Sequence, residues 1–366
     1  MAPMATTILF TGFPGFLGRE LLPRVLARDP ATRAVCLVQA KFADAAAAAV
    51  AELAVDRPEL AARIALREGD ITAPDLGLGD DAALAADTVA IYHLAAIYDL
   101  SVPRAVAERV NVDGTQHVLD FAARCPSLER LHYVSTCYVS GRYTGIFEED
   151  DLDKGQAFNN FYEETKFLAE VLVREAMARG LPATVYRPAI VVGDSQTGAT
   201  QKLDGPYYIL RWLLRQPRLA LLPVIGDPSR FRINVVPRDY VVDAIAHLSG
   251  RADTVGRTFA LADPEPPTCE EALEIMAAAA GRRVLRIRLP VGLAKALIDH
   301  VPGVYRLLQI PSSLVDYMAH PTHYHSRATA EALAPAGIEV PRFAGYAPAM
   351  AAFVRGNLAL TSSAMA

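Results

Sequence analysis

Two side chains set the chemistry open to this chain. Tyr162 and Lys166 stand four apart in Phe158-Asn-Asn-Phe-Tyr-Glu-Glu-Thr-Lys166, so on a helix they share one face, one turn apart. An ammonium beside a phenol favours the phenolate and lowers the tyrosine pKa towards working pH, as a proton-transfer group requires. Such a pair also arises by chance in many helices, so its meaning rests on what precedes it. Upstream, the apolar strand Thr7–Phe10 runs into Thr11-Gly-Phe-Pro-Gly-Phe-Leu-Gly18 and a helical pattern to about Ala27. Strand, glycine turn and helix form the setting in which a pyrophosphate rests on a helix N-terminus, with glycines allowing close backbone approach. Gly12, Phe13, Pro14, Gly15, Phe16, Leu17 and Gly18 are therefore candidate dinucleotide contacts.

The elements that must position these groups follow in order. Strand Ala34–Val38 ends in Gln39-Ala-Lys41, where an NAD-preferring enzyme usually carries an acidic residue for the ribose 2′-hydroxyl. None occurs before Asp44, and Gln39 and Lys41 suit a 2′-phosphate, so NADP(H) is favoured while NAD(H) stays open. A third strand, Arg63–Glu68, ends in Gly69-Asp70-Ile71, where a carboxylate meets an adenine amino group. A fourth, Val89–Leu94, ends in His93-Leu-Ala-Ala96, and the small Ala95 lets backbone lie against a cofactor. A helix from about Pro103 to Ala123 carries Asn111 and Thr115; a fifth strand, Arg130–Val134, delivers Ser135-Thr136-Cys137. The Tyr/Lys helix runs from Phe158 to about Arg179, with Phe167, Leu168, Val171 and Leu172 at helical spacing and Glu170–Arg174 as an i,i+4 pair. A sixth strand is Ala183–Arg187. This alternation predicts an α/β, doubly wound parallel (Rossmann) sheet. The expected domains are 1–195, with 233–262 returning to it, and a smaller, mostly helical substrate-binding subdomain from 196–232 and 263–366.

The 366 residues, 52% hydrophobic and 21% charged with net charge −5, describe packed globular protein and argue against a nucleic-acid partner. Cys36, Cys125, Cys137 and Cys269 form no Cys-x-x-Cys unit and suit free thiols; no apolar run is long enough to span a bilayer. With no basic leader before the glycine motif, a cytoplasmic location is expected. His320-Pro-Thr-His323-Tyr-His325 lacks completing ligands and reads as a polar loop rather than a metal site. Cys137 reads as a small buried thiol, and Arg230 and Arg232 fit either an anionic substrate group or structural ion pairs. Val284–Leu289 alternates as a half-exposed strand, and the apolar Val291–Ile310 reads as a lid over a greasy substrate or plain packing.

The ordered set Gly12-x-x-Gly15-x-x-Gly18, Gly69-Asp70, His93-x-Ala95-Ala96, Asn111-Val-x-Gly-Thr115, Ser135-Thr136, Tyr162-x-x-x-Lys166 and Arg187-Pro188 resembles the extended short-chain dehydrogenase/reductase superfamily over about 1–262. Arg187–Gly198 and Asn234–Ala244 are most similar to its branch of thioester reductases and fatty acyl-CoA reductases. The resemblance implies Tyr162 as general acid for reduction, Lys166 on the nicotinamide ribose and tuning Tyr162, and Thr136 on the substrate carbonyl. It places the three glycines on the pyrophosphate, Asp70 on adenine, Ala95 beside the cofactor and Pro188 on the nicotinamide side. Asn111 either braces the site or holds the sheet. The expected reaction is NADPH-dependent hydride transfer to a hydrophobic carbonyl, from acyl thioester to aldehyde or from bulky ketone to alcohol. Relatives often carry adenylation and carrier domains; neither pattern is present in this sequence, so a preformed thioester or another carbonyl is expected. Homodimers are frequent among the relatives, which makes a homodimer one expected form. The alternatives are an NAD(P)-dependent sugar-nucleotide epimerase or dehydratase and a non-catalytic NADP(H)-binding sensor or scaffold.

Overall fold

The computed structural model describes residues 6–98, 102–225, 227–289 and 320–360. Strands β1 (Thr7–Thr11), β2 (Arg33–Val38), β3 (Ile64–Glu68), β4 (Thr88–His93), β5 (Arg130–Val134), β7 (Ala183–Pro188) and β11 (Thr258–Leu261) form one seven-stranded sheet. Its order is β11-β7-β5-β4-β1-β2-β3, and every pairing is parallel. Successive strand residues point to opposite faces. Ile8 and Phe10 therefore pack with helix α1 (Gly18–Leu26) and with Val241, Ile245 and Leu248 of helix Arg238–Ser249. Leu9, Ile91 and Leu131 pack on the other face with Val118 and Phe121 of helix Gly114–Ala123 and with Val173 of helix Phe161–Ala178. Strand order reverses between β1 and β4, and ligands of open α/β sheets bind outside the strand ends at such a reversal.

The helix expected over Pro103–Ala123 is divided. A short turn at Arg104–Ala107 runs into a π-helical segment, Glu108–Asp113, before Gly114–Ala123. Wider π turns recur at functional sites, and here the segment carries Asn111 into the interior, 1% exposed.

Three further strand pairs lie outside the main sheet. β8 (Ile190–Val192) pairs with β10 (Val235–Pro237), β9 (Leu219–Ile225) with β12 (Arg283–Leu289), and β6 (Gly145–Phe147) with β13 (Thr322–Tyr324). Residues 322–324, expected in a polar loop, are thus a strand. A second core gathers Tyr207, Leu210 and Leu213 of helix Pro206–Leu214, Leu273 and Met276 of helix Cys269–Ala279, and Tyr346, Met350 and Val354 of helix Phe343–Gly356. Helix Cys269–Ala279 opens with a reciprocal Thr268/Glu271 capping box. The alternation of β12 is inverted in use: Leu285 and Ile287 are exposed, while Arg286 pairs with Glu270 and Glu274 on the neighbouring helix. The lid expected at Val291–Ile310 lies outside the described residues.

Candidate active site

At the reversal, the end of β1 meets the end of β4. Gly12 takes φ +89°, and a Cβ there would stand 2.8 Å from the Ala95 nitrogen. A Cβ on Gly15 or Gly18 would fall 2.7 or 2.4 Å from the Gly12 carbonyl oxygen, which already accepts the Gly15 N–H at 2.9 Å. Three glycines close around one carbonyl, leaving bare backbone at the opening of α1. That cradle fits a dinucleotide pyrophosphate. Phe13 and Pro14 are buried beneath the turn, Leu17 packs against the core and Phe16 lies 5.2 Å under the Arg238 guanidinium.

At the ends of β2 and β3, the Asp70 carboxylate accepts the Thr72 N–H at 2.8 Å. Burial raises its pKa, but bonds from Thr72 and the Gln39 side chain, with Lys41 nearby, bring the net value below the usual range. Gln39, Lys41 and Asp70 are thereby gathered at one corner. Lys41 itself is exposed, its ammonium 4.7 Å over the Phe42 ring. Ile71 is buried against Gly114.

The candidate proton-transfer groups meet at the ends of β5 and β7. Asn160 caps helix Phe161–Ala178 by accepting the Glu163 N–H at 3.0 Å. Tyr162, half-buried, presents its phenol to Thr136; burial drives its pKa up and the Thr136 bond opposes this. Thr136 Oγ1 also donates to the Pro188 carbonyl at 3.3 Å. Ser135 beside it is committed elsewhere, donating to Glu170 at 2.6 Å. Lys166 is buried, and its ammonium donates to the Tyr133 hydroxyl at 3.0 Å and the Val134 carbonyl at 2.9 Å. Burial lowers its pKa to about 7, with Glu170 pulling the other way. The Tyr98 ring stands edge-on to Tyr162 at 5.0 Å, and the Lys202 ammonium, paired with Asp204 at 2.8 Å, sits 4.1 Å over it.

This glycine cradle with a Thr/Tyr/Lys group has known relatives. Residues 10–245 match the family model described as male sterility protein, an NAD-binding domain. The chain belongs to that family. It is an NAD(P)-dependent oxidoreductase of the extended short-chain dehydrogenase/reductase type. The chain is 30% identical over 277 residues to the non-canonical nonribosomal peptide synthetase cpsA of Aspergillus campestris, covering 70% of this chain and 26% of that protein. It is 31% identical over 287 residues to glycine betaine reductase of Emericella nidulans, covering 74% of this chain and 22% of that protein. It thus spans about a quarter of the length of these curated relatives. In structure it resembles the terminal R domain from the myxalamid PKS-NRPS biosynthetic pathway, with a TM-score of 0.81, 29% identity, and coverage of 99% of this chain and 93% of that one.

In this family member helix Phe161–Ala178 does not bury the apolar stripe that its sequence advertises. Its inward residues include Glu163, Thr165, Lys166 and Glu170, while Phe167, Leu168, Val171 and Leu172 are half-buried. Glu170 does meet Arg174 at 3.3 Å, but its main partner is the buried Arg187, at 2.6 Å to Nη2 and 3.0 Å to Nε. Arg187 also reaches the Glu149 and Asp151 carbonyls. Asn111 donates to Thr165 at 3.0 Å and takes the Ile97 N–H at 2.9 Å, bracing the helix from the opposite side.

Thr11, His93, Thr115 and Tyr133 complete the interior. Thr11 Oγ1 lies 2.8 Å from His93 Nδ1, His93 Nε2 lies 3.1 Å from Thr115 Oγ1, and Thr115 donates to the Asn111 carbonyl at 2.7 Å. Spacing gave no signal for the Thr11–His93 and His93–Thr115 contacts, which join two strands and then a strand to a helix.

Among the remaining candidates, Cys137 is a buried thiol donating to the Arg187 carbonyl at 3.0 Å, and burial raises its pKa. His320 bonds Tyr324 at 2.7 Å and His325 bonds Glu148 at 2.9 Å; Arg232 bonds the Pro266 carbonyl.

Proposed function

We propose that the chain is an NADPH-dependent reductase of a carbonyl, with an acyl thioester reduced to an aldehyde as the favoured reaction and Thr136, Tyr162 and Lys166 as its catalytic residues. The observation that carries this reading is the hydroxyl pair at the ends of β5 and the catalytic helix. Thr136 and Tyr162 stand together there, and Ser135, the neighbouring hydroxyl, is tied to Glu170. Two donors thus converge where a carbonyl oxygen gathers charge. Burial raises the Tyr162 pKa, so the phenol holds its proton at neutral pH, and the Thr136 contact works the other way, toward the value a proton donor needs.

When bound, the nicotinamide cofactor supplies the hydride. Gly12, Gly15 and Gly18 would hold its pyrophosphate, Asp70 its adenine, and Ala95 and Pro188 would flank it. Gln39 and Lys41 would take the 2′-phosphate. Two of the three Lys166 protons are on Tyr133 and Val134, and the third is available to the nicotinamide ribose. As the carbonyl carbon accepts the hydride, Tyr162 donates its proton to the oxygen and Thr136 holds that oxygen. A thioester becomes a hemithioacetal, which breaks its carbon–sulfur bond to release aldehyde and thiol. The peptide-synthetase and reductase-domain relatives support a thioester substrate, and the second core, gathered from helices Pro206–Leu214, Cys269–Ala279 and Phe343–Gly356, would form the substrate-binding side.

The test is cofactor oxidation by pure protein with NADPH and a panel of acyl-CoA thioesters and hydrophobic ketones. Tyr162→Phe should lower turnover roughly 100- to 10,000-fold while NADPH binding, read by fluorescence, is retained. Full turnover by that variant would remove Tyr162 from the mechanism, and tighter binding of NADH than NADPH would overturn the cofactor assignment.

A further inference from the structure

We propose that Tyr133 is a positioning residue for Lys166: its phenol holds the buried ammonium and ties it, through Thr115 and His93, to the cofactor-side backbone at Ala95. The Tyr133 ring is completely buried on β5, and its hydroxyl lies 3.0 Å from Lys166 Nζ. Among the described residues no carboxylate is within ion-pair distance of Lys166. The titratable groups facing it are Glu170 on its own helix, Tyr133 on β5 and His93 on β4. The segment from Glu108 to Ala123 adds neutral Asn111 and Thr115. A buried cation with neutral acceptors depends on each of them, because a lost partner cannot be replaced by water.

The donor directions along the chain are fixed from its ends. Thr115 gives its proton to the Asn111 carbonyl, so its oxygen accepts from His93 Nε2 and can also take the proton of the adjoining Tyr133 hydroxyl. His93 Nδ1 is then an acceptor, taking the Thr11 proton, and Thr11 Oγ1 in turn accepts the Ala95 N–H at 3.2 Å. The imidazole is neutral, its pKa lowered to about 3 by burial and by the Lys166 charge. Every hydroxyl in the chain donates once and accepts at least once. Sliding Lys166 away from Tyr133 would break the chain at one end; shifting Ala95 against Gly12 would break it at the other.

This inference rests on the proposed role of Lys166, but its test reads that lysine without turnover, so its failure is separable from failure of the reductase reading. The chain has five lysines, Lys41, Lys154, Lys166, Lys202 and Lys295, so the full-length protein labelled with 13C at the lysine ε-carbon gives few signals, and Lys166→Met assigns the relevant one. Removing an acceptor from the charged form lowers a lysine pKa. The Lys166 midpoint should therefore fall by about one pH unit or more in Tyr133→Phe, which loses only the hydroxyl. Thr115→Val should lower it by a few tenths of a unit and Thr115→Ser should leave it at the wild-type value. An unmoved midpoint in folded Tyr133→Phe overturns the proposal. If that variant does not fold, equal midpoints in Thr115→Val and wild type overturn it.

Discussion

Two buried polar networks grip helix Phe161–Ala178 from opposite sides, and they are built from different chemistry. Towards the cofactor cradle, Thr11, His93, Thr115 and Asn111 form a chain of neutral groups that ends on Thr165 and Ile97. Towards β7, Glu170 and Arg187 form a fully buried ion pair that also collects Ser135 and the carbonyls of Glu149 and Asp151. The neutral side lies against the glycine cradle through Thr11 and Ala95, and it adds no fixed charge there. The ionic side anchors the loop after β6, where a strong local pair holds irregular backbone without disturbing the pyrophosphate cradle. Between them, the helix is set by directional bonds at Thr165 and Glu170 together with its buried Ala169 and Val173.

The ionic side should break hardest. Arg187→Met leaves Glu170 buried without its partner, and removing one member of such a pair costs about 3–5 kcal/mol. Denaturant unfolding should show that loss, while Arg187→Met combined with Glu170→Met should recover most of it. A double variant as unstable as the single one would mean that the pair, and not the uncompensated charge, holds the loop.

The neutral side should fail first in acid. His93 titrates near 6.5 when unfolded and about 3 when folded, so the unfolded chain binds the extra proton between those values and stability falls as pH drops through that window. Glu170 behaves differently. Burial raises its pKa and Arg187 more than offsets that, so the folded value lies below 4.5 and its contribution is lost only as pH falls beneath that point. Between pH 6.5 and 4.5 the slope therefore belongs to buried neutral histidines, His93 with His132 and His320, at about 1.4 kcal/mol per pH unit each. His93→Gln should remove one such share from the slope of unfolding free energy against pH. An unchanged slope would show that His93 is protonated in the fold.

The contrast also explains what could be read from the chain alone. Gly12, Gly15 and Gly18 are legible because a close backbone approach tolerates no Cβ, and the alternation of short apolar strands with helices forces a parallel sheet. Tyr162 and Lys166 are legible because their contact geometry is local to one helix. The networks are not, because their deciding bonds join residues far apart: Thr11 to His93, Glu170 to Arg187, Lys166 to Tyr133. The apolar periodicity of Phe167, Leu168, Val171 and Leu172 misdirects for the same reason, since it cannot show that Glu170 has a buried arginine waiting across the sheet. Strands β8, β9 and β13 were hidden by their brevity or by proline-rich surroundings, and pair with partners 45 or more residues away.

The ionic network has a weak arm that sharpens the comparison further. Arg174 meets Glu170 at 3.3 Å, but its side chain is 25% exposed whereas Arg187 is 2% exposed. A partly hydrated guanidinium gains little from the pair, because water and salt screen it and the long side chain loses freedom. Arg174→Ala should therefore cost under about 1 kcal/mol, and that small loss should shrink in added salt while the Arg187→Met loss persists. Urea titrations of both variants at low and high ionic strength make the measurement. A larger or salt-insensitive loss for Arg174→Ala would place it inside the buried fork and would merge the helical i,i+4 pair, visible in the sequence, with the network that the sequence conceals.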